Sequence, residues 1–314
     1  MDKLRAICAA KGAFLRREAL AAGYDDHALG RLRRAGVILR LRHGAYVFAD
    51  VWEAMSPRER HGVRARAAYR CCDRPVALSH VSAVLEHTAT HWSLPLEIPH
   101  LTRLDGRSVG RAAGVRQHRG RIIDGDVVTV GDFQVMAPVR AALELTTVVG
   151  VEAALVTIND LLHSGLVTDA AIRERYAQAI DHWPHTLSTN AVLHLMDRRM
   201  ESAGESRTSY LLWSQGLPMP VPQHEVYDAT GDLVGVVDFA WPELGVFLEF
   251  DGKAKYQRFL REGEEPGDAV FREKKREDRL RRATGWRCIR ITWADLEHPA
   301  RTAAMIRRVL AQAA

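Results

Sequence analysis

Three acidic residues stand within the apolar runs of one short segment near the C-terminal end of the 314-residue chain. The segment, residues 236–252, reads VVDFAWPELGVFLEFDG, and the acids in question are Asp238, Glu249 and Asp251. A carboxylate that is buried without a partner costs several kcal/mol of folding free energy. The pattern therefore indicates a site that a cation completes.

The spacing of these acids places them on one face of a predicted β-hairpin. Glu249 and Asp251 are two residues apart, so their side chains point to the same side of a strand. If WPELG is the turn, Asp238 lies opposite Glu249, with β-carbons about 4.5 to 5.5 Å apart, where like charges repel. A divalent cation removes this repulsion, and hard oxygen ligands suit Mg²⁺ or Mn²⁺. We therefore expect one of these ions at Asp238, Glu249 and Asp251.

Helices and strands alternate around this hairpin in the order α, β, β, β, α, β, α. The first helix contains ESAGESRTSYLLWSQG, and the helix after the hairpin is basic, with the sequence FREKKREDRLRRATG. Because cations follow directly after the acid-bearing strand, we expect Lys274 and Lys275 of this helix to line a nucleic-acid groove. The alternative is an ordinary solvated basic face.

The composition agrees with a globular protein that binds a polyanion. The formal charge is +5, the pI is near 9.2, and 47% of residues are hydrophobic. None of the four cysteines forms a C-x-x-C pair, which favours reduced structural thiols. The chain has no uncharged apolar run of about 18 residues, so we expect a cytoplasmic protein with no membrane partner.

The N-terminal region has the pattern of a winged helix-turn-helix. A short helix ends at Gly23, a second helix begins behind Asp25 as its N-cap, and VILRLRHGAYVFA then predicts a hairpin. The second helix would lie in the major groove of DNA, with the hairpin as a wing near phosphates. A small helical cap with a solvated basic face is the alternative. The expected DNA contacts are Arg31, Arg33, Arg34, Arg40, Arg42 and His43.

The middle of the chain predicts a small α+β domain followed by connecting helices. Adjacent Ser79 and His80 favour core or capping roles, because no oxyanion signature accompanies them. Further histidines lack a metal-ligand spacing on one predictable element, so no zinc site is expected and they stay unassigned. These histidines are His87, His91, His100 and His118.

The C-terminal element order and acids resemble the very-short-patch-repair-type branch of the restriction-endonuclease-like (PD-(D/E)XK) fold, over roughly the last 115 residues. The resemblance implies that Asp238 and Glu249 hold a metal ion that activates water for phosphodiester hydrolysis. It also implies an auxiliary acid at Glu205 on the first helix and a polar residue, Gln223, just before the first strand. Asp251 occupies the position where this family usually has lysine.

The lysine role would then belong to Lys253 or Lys255, which lie beyond the second strand of the hairpin. We therefore count Lys253 and Lys255 with Glu205, Asp238, Glu249 and Asp251 as candidate catalytic residues.

The N-terminal half separately resembles the antitoxin of AbiE-type toxin–antitoxin systems, through LRHGAYVFA and LSHVSAVLEH. This resemblance implies operator DNA and a cognate toxin as partners. The expected fold is a multidomain α+β chain with a winged helix-turn-helix at 1–60, a middle α+β domain at 61–195 and a restriction-endonuclease-like α/β domain at 196–314. The expected function is a DNA-binding protein with a metal-dependent endonuclease-like domain, in defence, toxin–antitoxin or DNA repair. The alternative is a non-catalytic repressor or antitoxin that retains a nuclease-like scaffold.

Overall fold

The structure, a computed structural model of the chain, describes residues 1–106, 114–228, 230–252, 279–280 and 282–313. The chain divides into two compact units. The first comprises Met1–Thr157 and Ser164–Leu193, and the second comprises Ile158–His163 and His194–Ala314. The sequence-based domain boundaries at residues 60 and 195 stay predictions.

The first unit begins with a winged-helix-like arrangement of short helices and a three-stranded sheet. Its elements are α1 (Asp2–Lys11), β1 (Phe14–Leu15), α2 (Arg16–Ala21), α3 (Asp26–Arg34), β2 (Ile38–Arg42), β3 (Ala45–Phe48), α4 (Ala49–Ala54) and α5 (Pro57–Arg70). The strand order is β1-β3-β2, and both pairings are antiparallel. As predicted, Asp25 caps α3, because its Oδ1 accepts a hydrogen bond from the Ala28 N–H at 2.7 Å. Fully buried Phe14 and Phe48 pack in the core below.

The rest of the first unit contains a five-stranded mixed sheet. Its elements are β4 (Val76–Leu78), α6 (His80–His87), β5 (His100–Arg103), β6 (Arg116–His118), β7 (Val127–Val130), β8 (Phe133–Met136), α7 (Pro138–Leu145), α8 (Val151–His163), α9 (Asp169–Ala177) and α10 (Thr186–Leu195). Helices α8 and α10 are shared between the units, since α8 enters the second unit at Ile158 and α10 enters it at His194. The strand order is β6-β5-β4-β8-β7, with β5–β6 and β4–β8 parallel. Leu78 and Leu101 of the strands pack in one core with Val84 of α6 and Leu145 of α7.

The second unit contains a four-stranded mixed sheet. Its principal elements are α11 (Ala203–Ser214), β9 (Val221–Tyr227), β10 (Leu233–Trp241), β11 (Val246–Asp251), β12 (Arg287–Thr292), α12 (Trp293–Leu296) and α13 (Pro299–Ala311). The strand order is β12-β11-β10-β9, in which only β11 and β12 are parallel. Leu248 of β11, Ile291 of β12 and Ile306 of α13 pack in its core. Gln223 lies inside β9 rather than before it, so that part of the sequence-based placement was wrong.

Helix α11 approaches the sheet closely at Gly204. A Cβ atom at this position would lie 2.0 Å from Cε1 of Phe250 on β11, closer than any real Cβ contact. Glycine is therefore the residue that lets the start of α11 pack against the acid-bearing strand.

Candidate functional site

The second helix of the helix-turn-helix, α3, carries three exposed arginines in its last turn. Arg31 and Arg34 are three residues apart and share one face of the helix. Arg33 is turned about 200° from Arg31 around the helix axis. Leu29, which is 2% exposed, anchors the helix in the core. Of the three arginines predicted to contact DNA, Arg31 and Arg34 can therefore contact the same surface of a partner.

The predicted wing is the β2–β3 hairpin, whose turn contains Gly44 with φ 79°. Arg40 and His43 are exposed on this wing. Arg42 is half-buried, and its Nε has no hydrogen-bond partner in the structure as described. The wing thus presents Arg40 and His43 more fully than Arg42.

The acid-bearing hairpin has the register that its turn predicted. Phe239 of β10 pairs with Leu248 of β11, and the same register continued by one residue places Asp238 opposite Glu249. Gly245, in the left-handed region at φ 61°, closes the turn between the strands. Because opposed residues of an antiparallel pair point to the same side, the two carboxylates share one face.

Asp238 and Glu249 are buried, at 8% and 7% exposed, whereas Asp251 is half-buried at the end of β11. Asp238 Oδ2 accepts a hydrogen bond from the backbone N–H of Phe250 at 2.7 Å. Asp238 therefore forms a hydrogen bond across the hairpin, in addition to the metal binding that the sequence predicts for it.

Glu205 on α11 is 1% exposed, and its carboxylate is held by hydrogen bonds. Oε1 accepts from the Ser202 hydroxyl at 2.6 Å, and Oε2 accepts from the Glu201 N–H and the Gln223 side-chain amide, each at 3.0 Å. Ser202 Oγ in turn accepts from the Glu205 N–H at 3.2 Å, so Ser202 is the N-cap of α11. The acid implied as auxiliary by the resemblance thus binds the N-cap residue of its own helix.

Arg290 is a cation near the acids that the sequence-based interpretation missed. In the parallel β11–β12 pair it is in register with Glu249, and its side chain is exposed. The alternation of apolar and polar residues in WRCIRITW was a signal for it. Because Ile289 and Ile291 point to the core, Arg290 between them points to the opposite face of the sheet. The predicted lysines lie outside the described residues: Lys253, Lys255, Lys274 and Lys275.

The carboxylates of Asp238 and Glu249 fit the preference of Mg²⁺ or Mn²⁺, which bind one or two carboxylates together with waters. Asp251 does not complete a three-ligand set with them. In the described parts of the chain, only a group of histidines brings three ligand atoms within 4.8 Å of one another. The acidic site is therefore at most a two-carboxylate site within these residues.

That histidine cluster lies in the first unit and consists of His80, His100 and His118. His100 Nδ1 and His118 Nε2 are 3.0 Å apart, and the rings of His80 and His118 stack with centroids 3.6 Å apart. The sequence placed these residues on separate elements and left two of them unassigned. Their convergence was not foreseen.

Buried Glu144 contacts His80, and two ion pairs of buried acids with arginines lie in this unit. Glu144 Oε2 accepts from the His80 backbone N–H at 3.1 Å and lies 3.4 Å from its Nδ1, while Glu144 Oε1 accepts from Arg140 Nε at 2.9 Å. Asp126 accepts two hydrogen bonds from Arg175, each at 2.7 Å. The positive charges of Arg140 and Arg175 therefore balance the negative charges of Glu144 and Asp126.

Burial keeps the three imidazoles neutral. Burial, with electrostatic repulsion from His118 and Arg116, lowers the pKa of His100 to about 3. Burial, with electrostatic repulsion from Arg116, lowers the pKa of His118 to about 4. Burial and the two neighbouring histidines also hold the pKa of His80 well below its ordinary value. At pH 7 each ring can therefore accept a hydrogen bond or bind a metal ion through a lone pair.

Residues 8–49 match a protein family described as transcriptional regulator, AbiEi antitoxin. This range includes α2, α3 and the β2–β3 wing, so the match confirms the resemblance for the N-terminal part. These residues are thus similar to a transcriptional regulator of the antitoxin type.

Two uncharacterized proteins of Mycobacterium tuberculosis, from strains CDC 1551 / Oshkosh and ATCC 25618 / H37Rv, are similar to this chain. Each is 27% identical over 183 residues, which is 56% of this chain and 62% of the relative. The alignment thus spans less than two thirds of the length of these relatives. None of the helices in the described part of the chain has both the length and the apolar character that a membrane crossing needs.

Proposed function

We propose that this chain is an antitoxin-type transcriptional regulator that binds DNA and carries a metal-dependent endonuclease-like unit at its C-terminal end. The observation that carries the regulator part is the exposed pair Arg31 and Arg34 on α3, within residues that match the AbiEi regulator family. A cognate toxin is the protein partner that this match suggests.

In this proposal α3 lies in the major groove of operator DNA. Arg31 and Arg34 contact base edges or phosphates from one helix face, and Arg40 and His43 of the wing contact the backbone nearby. Arg33 and half-buried Arg42 contribute less, because they do not share that surface as fully.

The proposal for the second unit rests on the opposed acids of the β10–β11 hairpin. Asp238 and Glu249 would hold Mg²⁺ or Mn²⁺, which when bound lowers the pKa of its water and screens charge on a phosphodiester. Arg290, in register with Glu249, would contact the phosphate. Lys253 or Lys255 would assist there, and Lys274 and Lys275 would contact the DNA backbone.

Two observations favour a second candidate function, a non-catalytic repressor that keeps this unit as a scaffold. Asp251 stands where the endonuclease family usually has lysine. Glu205, the auxiliary acid, accepts a hydrogen bond from Ser202, the N-cap of α11. A scaffold needs both the cap and the hairpin, but no metal.

The test is binding of the full chain to the DNA upstream of its own gene, measured by fluorescence anisotropy over a range of salt concentrations. Replacing Arg31 and Arg34 by Ala should weaken binding and reduce the salt slope by about 0.9 for each lost phosphate contact. The matched control replaces Arg74 and Arg198, which are exposed and lie outside the winged helix. Equal slopes for wild type and both variants would contradict DNA binding by α3.

A further inference from the structure

The histidine cluster is independent of both proposed activities, and its spacing is close to that of a metal site. The candidate nitrogens of His80, His100 and His118 all lie within 4.8 Å of one another. Tetrahedral Zn²⁺, with Zn–N bonds of about 2.0–2.1 Å, separates its ligand nitrogens by about 3.4 Å. Small side-chain movements therefore suffice to bring the three rings onto one ion.

His80 is held in the way that metal-ligating histidines are commonly held. Its Nδ1 lies 3.0 Å from Ser79 Oγ and 3.4 Å from Glu144 Oε2, which leaves Nε2 as the nitrogen for a metal ion. Ligating histidines usually direct their other ring nitrogen to such a carboxylate or polar group. Glu144 is fixed in turn by Arg140 Nε at 2.9 Å.

His100 is anchored from the opposite side by a chain of hydrogen bonds. Its backbone N–H donates to Ser82 Oγ at 2.9 Å, and the same oxygen lies 2.9 Å from His61 Nε2. His61 Nδ1 is 3.0 Å from the Leu96 carbonyl oxygen. The strand that carries His100 is therefore positioned before any ion binds.

His118 is the member of the cluster that has to move. Its ring stacks on that of His80 with 21° between the planes, so the lone pairs of the two rings do not yet converge. His118 is half-buried at the end of β6 and lines a cavity of about 150 Å³. Its Nε2 is already 3.0 Å from His100 Nδ1, so it is the relation of His118 to His80 that has to change.

We propose that His80, His100 and His118 bind one transition-metal ion of the Zn²⁺ class, with its fourth position open to this cavity. Imidazole nitrogens favour Zn²⁺, Ni²⁺ or Cu²⁺ over Mg²⁺ and Ca²⁺. Arg119 and Arg121 also line the cavity, so the open position suits water or a small anion.

The experiment uses the full-length, tag-free chain, stripped with a chelator and titrated with Zn²⁺ or Co²⁺. We expect one Zn²⁺ per chain, and visible absorption typical of tetrahedral Co²⁺. X-ray absorption of the wild-type complex should show three imidazoles at about 2.0–2.1 Å. This spectrum needs no variant, so it tests the site even if a substituted chain folds poorly.

The variant that tests the ligand set is His118→Gln, matched with His182→Gln, which changes an exposed histidine on the same cavity. We expect His118→Gln to weaken Zn²⁺ binding at least about 100-fold and Glu144→Gln to weaken it about 10- to 100-fold. His182→Gln should bind Zn²⁺ as wild type does. Absence of Zn²⁺ uptake by wild type would show a metal-free histidine network, and equal binding by folded His118→Gln would show that Zn²⁺ binds without this histidine. Either result overturns the proposal.

Discussion

Asp238 of β10 accepts a hydrogen bond from the backbone N–H of Phe250 on β11, with Oδ2 and N 2.7 Å apart. The carboxylate proposed to bind a metal ion therefore also ties the two strands of its own hairpin together. Substitutions at Asp238 have to separate these two roles, because loss of the bond and loss of the charge have different consequences.

Asp238→Ala should lower the free energy of unfolding of the full chain by about 1 to 3 kcal/mol, because it leaves the buried Phe250 N–H without its acceptor. Asp238→Asn keeps an acceptor oxygen and relieves repulsion with Glu249, so its loss should be smaller. Urea unfolding in a metal-free buffer measures both. Equal losses would mean that the charge, and not the hydrogen bond, stabilises the hairpin.

Mg²⁺ or Mn²⁺ should raise the Tm of wild type, because a ligand of the folded state stabilises it by mass action. The same ions should leave the Tm of Asp238→Asn unchanged. This difference reports the metal site without requiring cleavage.

Glu249→Gln should abolish any cleavage of duplex DNA in the presence of Mn²⁺ while leaving DNA binding by the winged helix intact. The reason is that an amide is a poor ligand for a hard cation compared with a carboxylate. The matched control is Glu225→Gln, which changes an exposed acid on β9 of the same sheet. A wild-type chain that binds Mn²⁺ but never cleaves DNA would favour the scaffold function.

The local pattern was sufficient to predict the hairpin but not the surroundings of its acids. The WPELG turn and the period of two fixed the register, and the structure confirms it through the pairing of Phe239 with Leu248. The cap formed by Ser202 also has a local signal, since Glu205 follows it by three residues. The contact of Glu205 with Gln223 depends on how α11 packs against β9, which no spacing reveals.

The histidine cluster could not be predicted from the sequence either, because it depends on which strands become neighbours. His100 and His118 lie on strands that pair in parallel, while His80 follows β4, the next strand of the same sheet. Strand patterns identify each element but do not specify which strands become neighbours. Only the sheet order β6-β5-β4 brings these residues together.

Gly204→Ala should destabilise the chain by about 2 kcal/mol, because the added methyl group meets the Phe250 ring. The gain in helix propensity, roughly 1 kcal/mol, is too small to offset this clash. Combining the change with Phe250→Leu should recover part of the loss, since the smaller side chain vacates the ring position. Urea unfolding of the four members of this double-mutant cycle measures the coupling. Strictly additive effects would show that the two residues do not meet.

Buried His61 should make the free energy of unfolding depend on pH in the acidic range. Burial lowers the pKa of His61 in the folded chain, so below about pH 6.5 the unfolded chain takes up a proton that the folded chain does not. The unfolding free energy should therefore fall on acidification, by at most about 1.4 kcal/mol per pH unit from this group. His61→Gln should be less stable than wild type at neutral pH, and the difference should shrink as the pH falls. His91→Gln, at an exposed histidine, is the control and should follow wild type at every pH.

The parallel pairing of β11 with β12 has a consequence for the order of folding. The β10–β11 hairpin closes through a short turn, whereas β11 ends at Asp251 and its partner β12 begins only at Arg287. A pairing between residues so far apart in the sequence forms slowly compared with a hairpin. In pulse-labelled hydrogen exchange during refolding, the Phe250 amide should gain protection before the Ile289 amide. Asp238 and Glu249 would then come together before β12 has joined the sheet. In such a folding intermediate β11 exposes an unpaired edge that can associate with other chains.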